Sequence, residues 1–144
     1  MRLTQYTDFS LRVLIYLGLH PDRRCTIQEI AEAYKISRNH LMKVVRQLAA
    51  AGFVTSTRGS GGGLTLPRAP EKINLAEVIA EMEPDFAMVE CFRGNNECVI
   101  TPACHLPPML ARATRAYLDV LRDYTLADVL GESNAAQMQH LLEP

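Results

Sequence analysis

The sequence predicts a mainly α-helical protein with a small β-hairpin wing, that is, a winged helix-turn-helix with an added long helix. Three observations support this prediction. Two short helical patterns meet at a tight turn near residue 35, a Gly-rich hairpin pattern follows at 53–66, and apolar residues recur at heptad spacing over 108–124. A helix-turn-helix that runs directly into a hairpin is typical of winged-helix domains. The 144 residues suffice for one compact unit with an appended helical arm.

Three helices are predicted before the hairpin. Apolar residues at helical spacing indicate a first helix over 3–19, which a His-Pro-Asp sequence ends. A second helix is expected over 27–34, because Thr26 and Glu29 have the spacing of a capping box. A third is expected over 38–51, and a glycine follows it.

The third helix has one apolar and one polar face, and Ser37 is the residue expected to cap it. Its apolar stripe, which we expect to be buried, comprises Leu41, Val44, Val45 and Leu48. The outer face carries side chains that can donate to phosphates or base edges: Asn39, His40, Lys43, Arg46 and Gln47. The first turn of such a helix enters the major groove, so Arg38, Asn39 and His40 are candidates for base edges, and Lys43 and Arg46 for phosphates. The alternative is a solvated polar face.

The hairpin turn is basic and rich in glycine. It begins with Arg58, Gly59, Ser60 and Gly61, and we expect Arg58 at its tip to enter a minor groove. A nucleotide-binding loop is a poor alternative, because no Lys-Ser/Thr pair follows and the next element is a strand.

Charge is unevenly distributed along the chain, although the formal net charge is only −1. The segment 35–68 contains no acidic residue and six basic ones, namely Lys35, Arg38, Lys43, Arg46, Arg58 and Arg68. The segment 77–97, by contrast, is mainly acidic. One surface can therefore meet phosphates while another stays anionic.

The C-terminal part is predicted to contain a short helix over 73–82, a long helix over 108–124 and a last helical region capped by Thr125 and Asp128. Heptad spacing in the long helix links Leu110, Thr114, Tyr117, Leu121 and Tyr124. We expect this seam to pair with a second copy of the chain, and packing on its own protomer is the alternative.

Three cysteines lie in one loop between the predicted helices at 73–82 and 108–124. Cys91, Cys98 and Cys104 are separated by six and five residues, among Gly, Asn and Pro. This spacing lacks the CxxC knuckle of zinc sites and suits a larger centre, so we predict an iron–sulfur cluster. Buried thiols or a disulfide are the alternatives. Cys25 stands apart and is expected to be an ordinary thiol.

Composition bounds the class of protein. Apolar residues make up 48% and charged residues 22%, which is the balance of a folded, water-soluble chain. No signal-peptide pattern and no membrane-spanning run is present, so we expect a cytoplasmic protein without a membrane partner. No pair of a nucleophile and a base is readable near the cysteine loop, so we predict that the protein is not an enzyme.

The order of these motifs resembles that of the Rrf-type winged-helix iron–sulfur repressors, and among them those that sense nitric oxide. The resemblance covers nearly the whole chain and implies three regions: a DNA-binding winged helix at 1–82, a cluster-binding loop at 83–105, and dimerisation and C-terminal helices at 106–144. It implies a homodimer on an inverted repeat in double-stranded DNA. It also implies that nitric oxide attacks the cluster and releases the protein from promoters of detoxification genes.

The same resemblance suggests the cluster ligands. Cys91, Cys98 and Cys104 match the thiolates, and Asp8 matches an oxygen ligand given by the partner's first helix. In a sister regulator a histidine after the last cysteine serves instead, so His105 is the alternative. A four-iron (4Fe-4S) cluster is favoured and a two-iron (2Fe-2S) cluster stays open.

Other functions remain as alternatives. One is a regulator of iron–sulfur cluster assembly, and another is a zinc-stabilised DNA-binding adaptor. A thiol enzyme or an electron carrier fits less well, because no CxxC is present.

Overall fold

The computed structural model describes residues 2–131 and 133–143. Seven α-helices and one two-stranded antiparallel sheet are assigned in this part of the chain. The helices are α1 (Gln5–Leu19), α2 (Ile27–Tyr34), α3 (Arg38–Ala50), α4 (Leu75–Met82), α5 (Leu106–Arg122), α6 (Leu126–Leu130) and α7 (Ala135–Leu142), and the strands are β1 (Thr55–Thr57) and β2 (Gly63–Thr65).

Helix α1 runs through the centre of the fold, against α3, α4 and α6. Its residues Val13 and Leu14 are fully buried. The predicted apolar stripe of α3 is confirmed, because the fully or nearly fully buried residues of that helix are Leu41, Val44, Val45 and Leu48. Burying each such side chain contributes roughly 1.5–3 kcal/mol. The hydrophobic effect therefore fixes which face of α3 is left for a partner.

The turn between α2 and α3 is tight. The capping box of Thr26 and Glu29 is present as predicted, and Lys35 ends α2 in the left-handed conformation at φ 54°. Ser37 occupies the N-cap of α3, but its hydroxyl makes no capping hydrogen bond. The prediction that the Ser37 side chain caps α3 is therefore wrong. Ser37 is exposed, so water can satisfy the first amides of α3 in place of its hydroxyl.

The hairpin follows α3 directly, and its register pairs Ser56 with Leu64. Cys25 extends this sheet through a bridge to Leu64, with an N–H···O distance of 3.0 Å and a reverse bond of 2.7 Å. A Cβ on Gly62 would lie 2.3 Å from the Thr57 carbonyl oxygen. The wing turn therefore requires glycine at position 62 for steric reasons within the turn itself.

The C-terminal helices return to the body of the fold. The Thr125–Asp128 capping box begins α6 as predicted, and Leu126 and Leu130 are buried against α1. The predicted region beyond residue 130 forms α7, and the Gln139 amide donates to the Leu19 carbonyl oxygen. Helix α5 starts two residues earlier than predicted, because its prolines lie in the first turn, where no intrahelical N–H is needed.

The predicted heptad seam of α5 faces its own protomer. The seam residues other than Tyr124 are half-buried, α5 packs on α4, and the Thr114 hydroxyl donates to the Met88 sulfur at 3.2 Å. A second stripe at the same spacing is exposed instead and comprises Leu106, Met109, Ala113, Ala116 and Val120. The structure therefore favours the alternative, packing of the seam on its own protomer: the heptad rule found the helix but could not specify which of its two stripes α4 covers.

Among the described residues, no helix combines the length and the apolar character that crossing a membrane requires.

Candidate nucleic-acid interface and metal centre

The first turn of α3 is open to solvent beyond the turn that links it to α2. Six of the residues predicted to contact DNA are exposed here: Ser37, Arg38, Asn39, His40, Lys43 and Arg46. The buried stripe on the other side of α3 holds this face outward. Arg38 and Asn39 are the side-chain types that can read guanine and adenine edges, respectively.

Two residues of α3 differ from the sequence expectation. Gln47, expected on the outer face, is half-buried, and its amide donates to the Glu81 carbonyl oxygen at 3.3 Å. Met42 is exposed to 47% on the outer face. It was not predicted as part of the interface because its type is apolar, although such side chains can pack on thymine methyl groups.

The wing tip is exposed from Arg58 to Gly61. Gly59 and Gly61 have φ values of 98° and 75°, so the turn uses the left-handed region that glycine adopts at little cost. The Arg24 guanidinium donates to the Gly61 carbonyl oxygen at 3.1 Å. Arg24 thus braces the wing and adds a positive charge beside it, which sequence reasoning missed because Arg24 lies 37 residues away in the chain.

The cysteine loop connects α4 to α5 and contains two short 3₁₀ turns, Glu90–Phe92 and Thr101–Ala103. The thiols of Cys91, Cys98 and Cys104 are all free, with Cys98 exposed and the other two half-buried. The alternatives of buried thiols and of a disulfide therefore do not describe this loop. Free, accessible thiols are the donor set that iron–sulfur clusters use, and so the residues present fit that group.

Local hydrogen bonds brace the loop around Cys98. Its N–H donates to the Asn96 side-chain oxygen at 3.0 Å, and its carbonyl oxygen accepts from the Thr101 hydroxyl at 2.8 Å. The Glu97 N–H donates to the Glu90 carboxylate at 2.7 Å. These bonds set the local shape of the loop, but no three His, Cys, Asp or Glu side chains gather into a metal group in the part of the chain that the structure describes.

The two candidates for a fourth ligand lie in different surroundings. His105 is exposed and occupies the N-cap of α5, directly after Cys104. The Leu106 N–H at the start of α5 donates to the Cys104 sulfur at 3.4 Å. Asp8 lies on α1, where its carboxylate pairs with Arg12 at 2.8 Å.

Arg12 links Asp8 to an aromatic patch. Its guanidinium carbon lies 5.8 Å from the centroid of the Phe9 ring and 5.8 Å from that of the Tyr34 ring, within the range of a cation–π contact. The Phe9 ring in turn lies 6.5 Å from that of His40 on α3. The candidate ligand therefore stands at one end of a short chain of contacts that reaches the exposed face of α3.

A second link joins α1 to α3. The Tyr6 hydroxyl donates to the Lys43 carbonyl oxygen at 2.7 Å, and the buried Ser10 hydroxyl donates to the Tyr6 carbonyl oxygen at 2.8 Å. Sequence reasoning did not identify this contact of Tyr6. A tyrosine at a predicted helix surface was the available signal, because its hydroxyl needs a partner when the ring is packed.

Cys25 is fully buried and lies apart from the loop. Burial raises the pKa of its thiol to about 11. A neutral, enclosed thiol is a poor metal ligand, which agrees with the prediction that Cys25 is an ordinary thiol.

Comparison with known proteins gives three kinds of likeness. The Rrf2 model, described as "Iron-dependent Transcriptional regulator", matches residues 3–132. The HTH-type transcriptional regulators NsrR of Bacillus subtilis and Bacillus licheniformis are 52% and 50% identical over 132 residues, which is 90% of this chain and 90% and 92% of theirs. The structure of T. potens IscR superposes with a TM-score of 0.74 at 23% identity, covering 95% of this chain and 91% of that one, which supports the predicted fold.

Proposed function

The chain belongs to the Rrf2 family of transcriptional regulators, and from this premise we propose that it is a homodimeric repressor whose iron–sulfur cluster makes its DNA binding sensitive to nitric oxide. The family and the named relatives make it a DNA-binding transcriptional regulator, and the prediction that it is not an enzyme is confirmed. The cluster, the effector and the dimer are the proposed parts. NsrR-type relatives favour them over control of cluster assembly.

The observation that carries the proposal is that one chain combines three free loop thiols with a segment, 35–68, that has no acidic residue and presents the exposed face of α3 and the wing. Neither feature alone would indicate a DNA-binding protein that is controlled by a cluster. The exposed first turn of α3 offers Arg38, Asn39 and His40 to base edges, while Lys43 and Arg46 lie where phosphates would pass. Arg58 at the wing tip would enter a neighbouring minor groove.

The dimer is proposed to form through the exposed stripe of α5. Met109 is 65% exposed and Val120 is 59% exposed, and small alanines lie between them. A stripe of this kind at alternating steps of three and four buries well against a second copy of itself. Two protomers paired in this way would present two copies of α3, the recognition helix, to an inverted repeat, whose half-sites lie about 34 Å apart for one helical turn.

Cys91, Cys98 and Cys104 would hold the cluster, of the four-iron type by preference, with Asp8 from the second protomer as the fourth ligand. When bound, the cluster supplies iron that reacts with nitric oxide. Asp8 is paired with Arg12 on its own helix, so it must exchange this partner to act as a ligand. That exchange would alter the contacts of Arg12 with Phe9, and Phe9 lies beside His40 of the recognition helix.

Anaerobic purification followed by a DNA-binding titration tests the proposal. A duplex is first selected from random sequences with the purified protein, and its affinity is then measured before and after addition of nitric oxide. We expect brown protein that contains iron and an affinity that falls at least about tenfold on treatment, equivalent to about 1.4 kcal/mol. A colourless preparation that contains zinc would favour the adaptor, and equal affinity before and after treatment would contradict nitric-oxide control.

The wing is tested separately with Arg58→Ala. Loss of the positive charge of Arg58, which would lie in the minor groove between the phosphate backbones, should weaken binding and lower the slope of log affinity against log salt by about 1. Lys72→Ala is a matched control, because Lys72 is exposed in the 3₁₀ turn Pro70–Lys72, outside the proposed interface. An unchanged slope for Arg58→Ala would remove the wing from the interface.

A further inference from the structure

The N-terminus of α1 is held by a carboxylate from far along the chain. The Glu83 side chain accepts hydrogen bonds from the Thr4 N–H at 3.2 and 3.3 Å and from the Thr4 hydroxyl at 3.2 Å. It also accepts a short hydrogen bond from the Thr7 hydroxyl. Thr4 is the N-cap of α1, so Glu83 binds the positive end of that helix from outside.

Burial makes these bonds specific. Thr7 is one of two fully buried polar residues among those described. Within residues 2–131 and 133–143, the Thr4 hydroxyl, at 3.1 Å, is the one other hydrogen-bonded partner of its hydroxyl. Because an incompletely satisfied buried hydroxyl is costly, Glu83 stabilises the first turn of α1 in this position.

Glu83 lies at a junction of the elements that the proposed function requires. It ends α4, directly before the segment that leads to Cys91. Two residues earlier, the Glu81 carbonyl oxygen accepts from Gln47 of the recognition helix. On the α5 side, burial raises the pKa of Tyr117, and the negative charge of Glu83 raises it further, which marks the proximity of these two groups.

We propose that Glu83 is a positioning residue: its carboxylate holds the first turn of α1, and with it Asp8, to the end of α4 where the cysteine loop begins. This inference rests on the proposed function, in which Asp8 completes the cluster of the other protomer. Asp8 is one residue beyond Thr7, so the bonds to Glu83 fix the turn that carries the ligand. Glu83 thereby couples the position of the loop to the position of Asp8 within each protomer.

Two readouts test this role, with Glu83→Ala and Glu83→Gln as variants. The first is amide hydrogen exchange in residues 5–8 of cluster-free protein, which we expect to speed up about tenfold in Glu83→Ala. The second is the ratio of DNA affinities of loaded and cluster-free protein, which should fall about fivefold. Glu83→Gln keeps one acceptor oxygen and should give intermediate values in both. If Glu83→Ala folds poorly, Glu83→Gln replaces it in both measurements.

Glu81→Ala is the matched control. Glu81 is exposed two residues away on the same helix, and its side chain makes no hydrogen bond or ion pair among the described residues. It should behave as wild type in both readouts. Wild-type exchange in Glu83→Ala, or equal effects of the two alanine variants, would overturn the positioning role.

The outcome also separates this inference from the proposed function. If wild-type protein binds DNA equally well with and without the cluster, the proposed function fails, while the exchange measurement still decides whether Glu83 holds α1. If wild-type protein shows the difference and Glu83→Ala retains it in full, only the inference about Glu83 fails.

Discussion

Replacing Asp8 by Asn tests the proposed ligand with little disturbance of the fold. The carboxylate pairs with Arg12 one turn away at 2.8 Å, and the two side chains are 44% and 41% exposed. Exposed pairs at this spacing contribute about 0.3–0.5 kcal/mol. Arg12 also contacts the Phe9 and Tyr34 rings, so its position does not depend on the ion pair alone. The thermal midpoint of cluster-free protein should therefore fall by about 2 °C at most.

The effect on the loaded protein should be much larger. An uncharged amide binds iron poorly, so Asp8→Asn should leave the cluster with its three thiolates alone. We expect the DNA affinity of the loaded variant to fall at least about tenfold, towards that of cluster-free protein, and its visible circular dichroism to change. Fluorescence anisotropy under anaerobic conditions measures the affinity. Asp22→Asn, the same change at the exposed turn after α1, is the control.

One result would refute the reasoning about Asp8. If loaded Asp8→Asn binds DNA as wild type does, while its thermal midpoint shows only the small expected shift, then Asp8 is not the fourth ligand. His105→Ala should in that case cause the loss instead, because His105 is exposed beside Cys104.

Three further predictions concern the wing, the isolated thiol and the dimer. Gly62→Ala should weaken DNA binding at least about fivefold with a midpoint shift of about 2 °C or less, because the new Cβ would meet the Thr57 carbonyl oxygen at 2.3 Å in an exposed turn; anisotropy and thermal melting measure the two effects. Iodoacetamide should modify the three loop cysteines of native, cluster-free protein at pH 8 and spare Cys25, whose burial raises its pKa to about 11; mass spectrometry before and after unfolding checks this, and rapid labelling of Cys25 would contradict it. Met109→Asp should convert dimers to monomers in light scattering, because it places a charge in the exposed stripe of α5; a dimer of unchanged stability would remove that stripe from the interface.

Much of the fold was predictable because its signals are local. The capping boxes at Thr26 and Thr125, the glycines of the wing and the apolar stripe of α3 each depend on residues within one turn or one hairpin. Such patterns need no knowledge of how elements meet. Three loop thiols were identified in the same way, from type and spacing alone.

The contacts that join these elements were not predictable. Arg24 reaches Gly61 across 37 residues, Tyr6 reaches Lys43 across 37, and Thr7 reaches Glu83 across 76. Each depends on the packed arrangement of helices, which periodicity does not specify. The same limit explains the misplaced seam of α5: two stripes share its spacing, and only the packing of α4 decides which of them is covered.

These long-range contacts also explain how a small signal could suffice. Helix α1 is bound to α3 through Tyr6 and to the end of α4 through the bonds of Thr4 and Thr7 to Glu83, and Asp8 follows directly after these attachments. Each hydrogen bond contributes about 0.5–1.5 kcal/mol, more where a carboxylate accepts it. A coupling free energy of only about 1–3 kcal/mol between two sites changes the affinity of one of them about 5- to 150-fold. In the proposed dimer, weakening one or two of these bonds therefore involves enough free energy to account for the expected loss of DNA affinity.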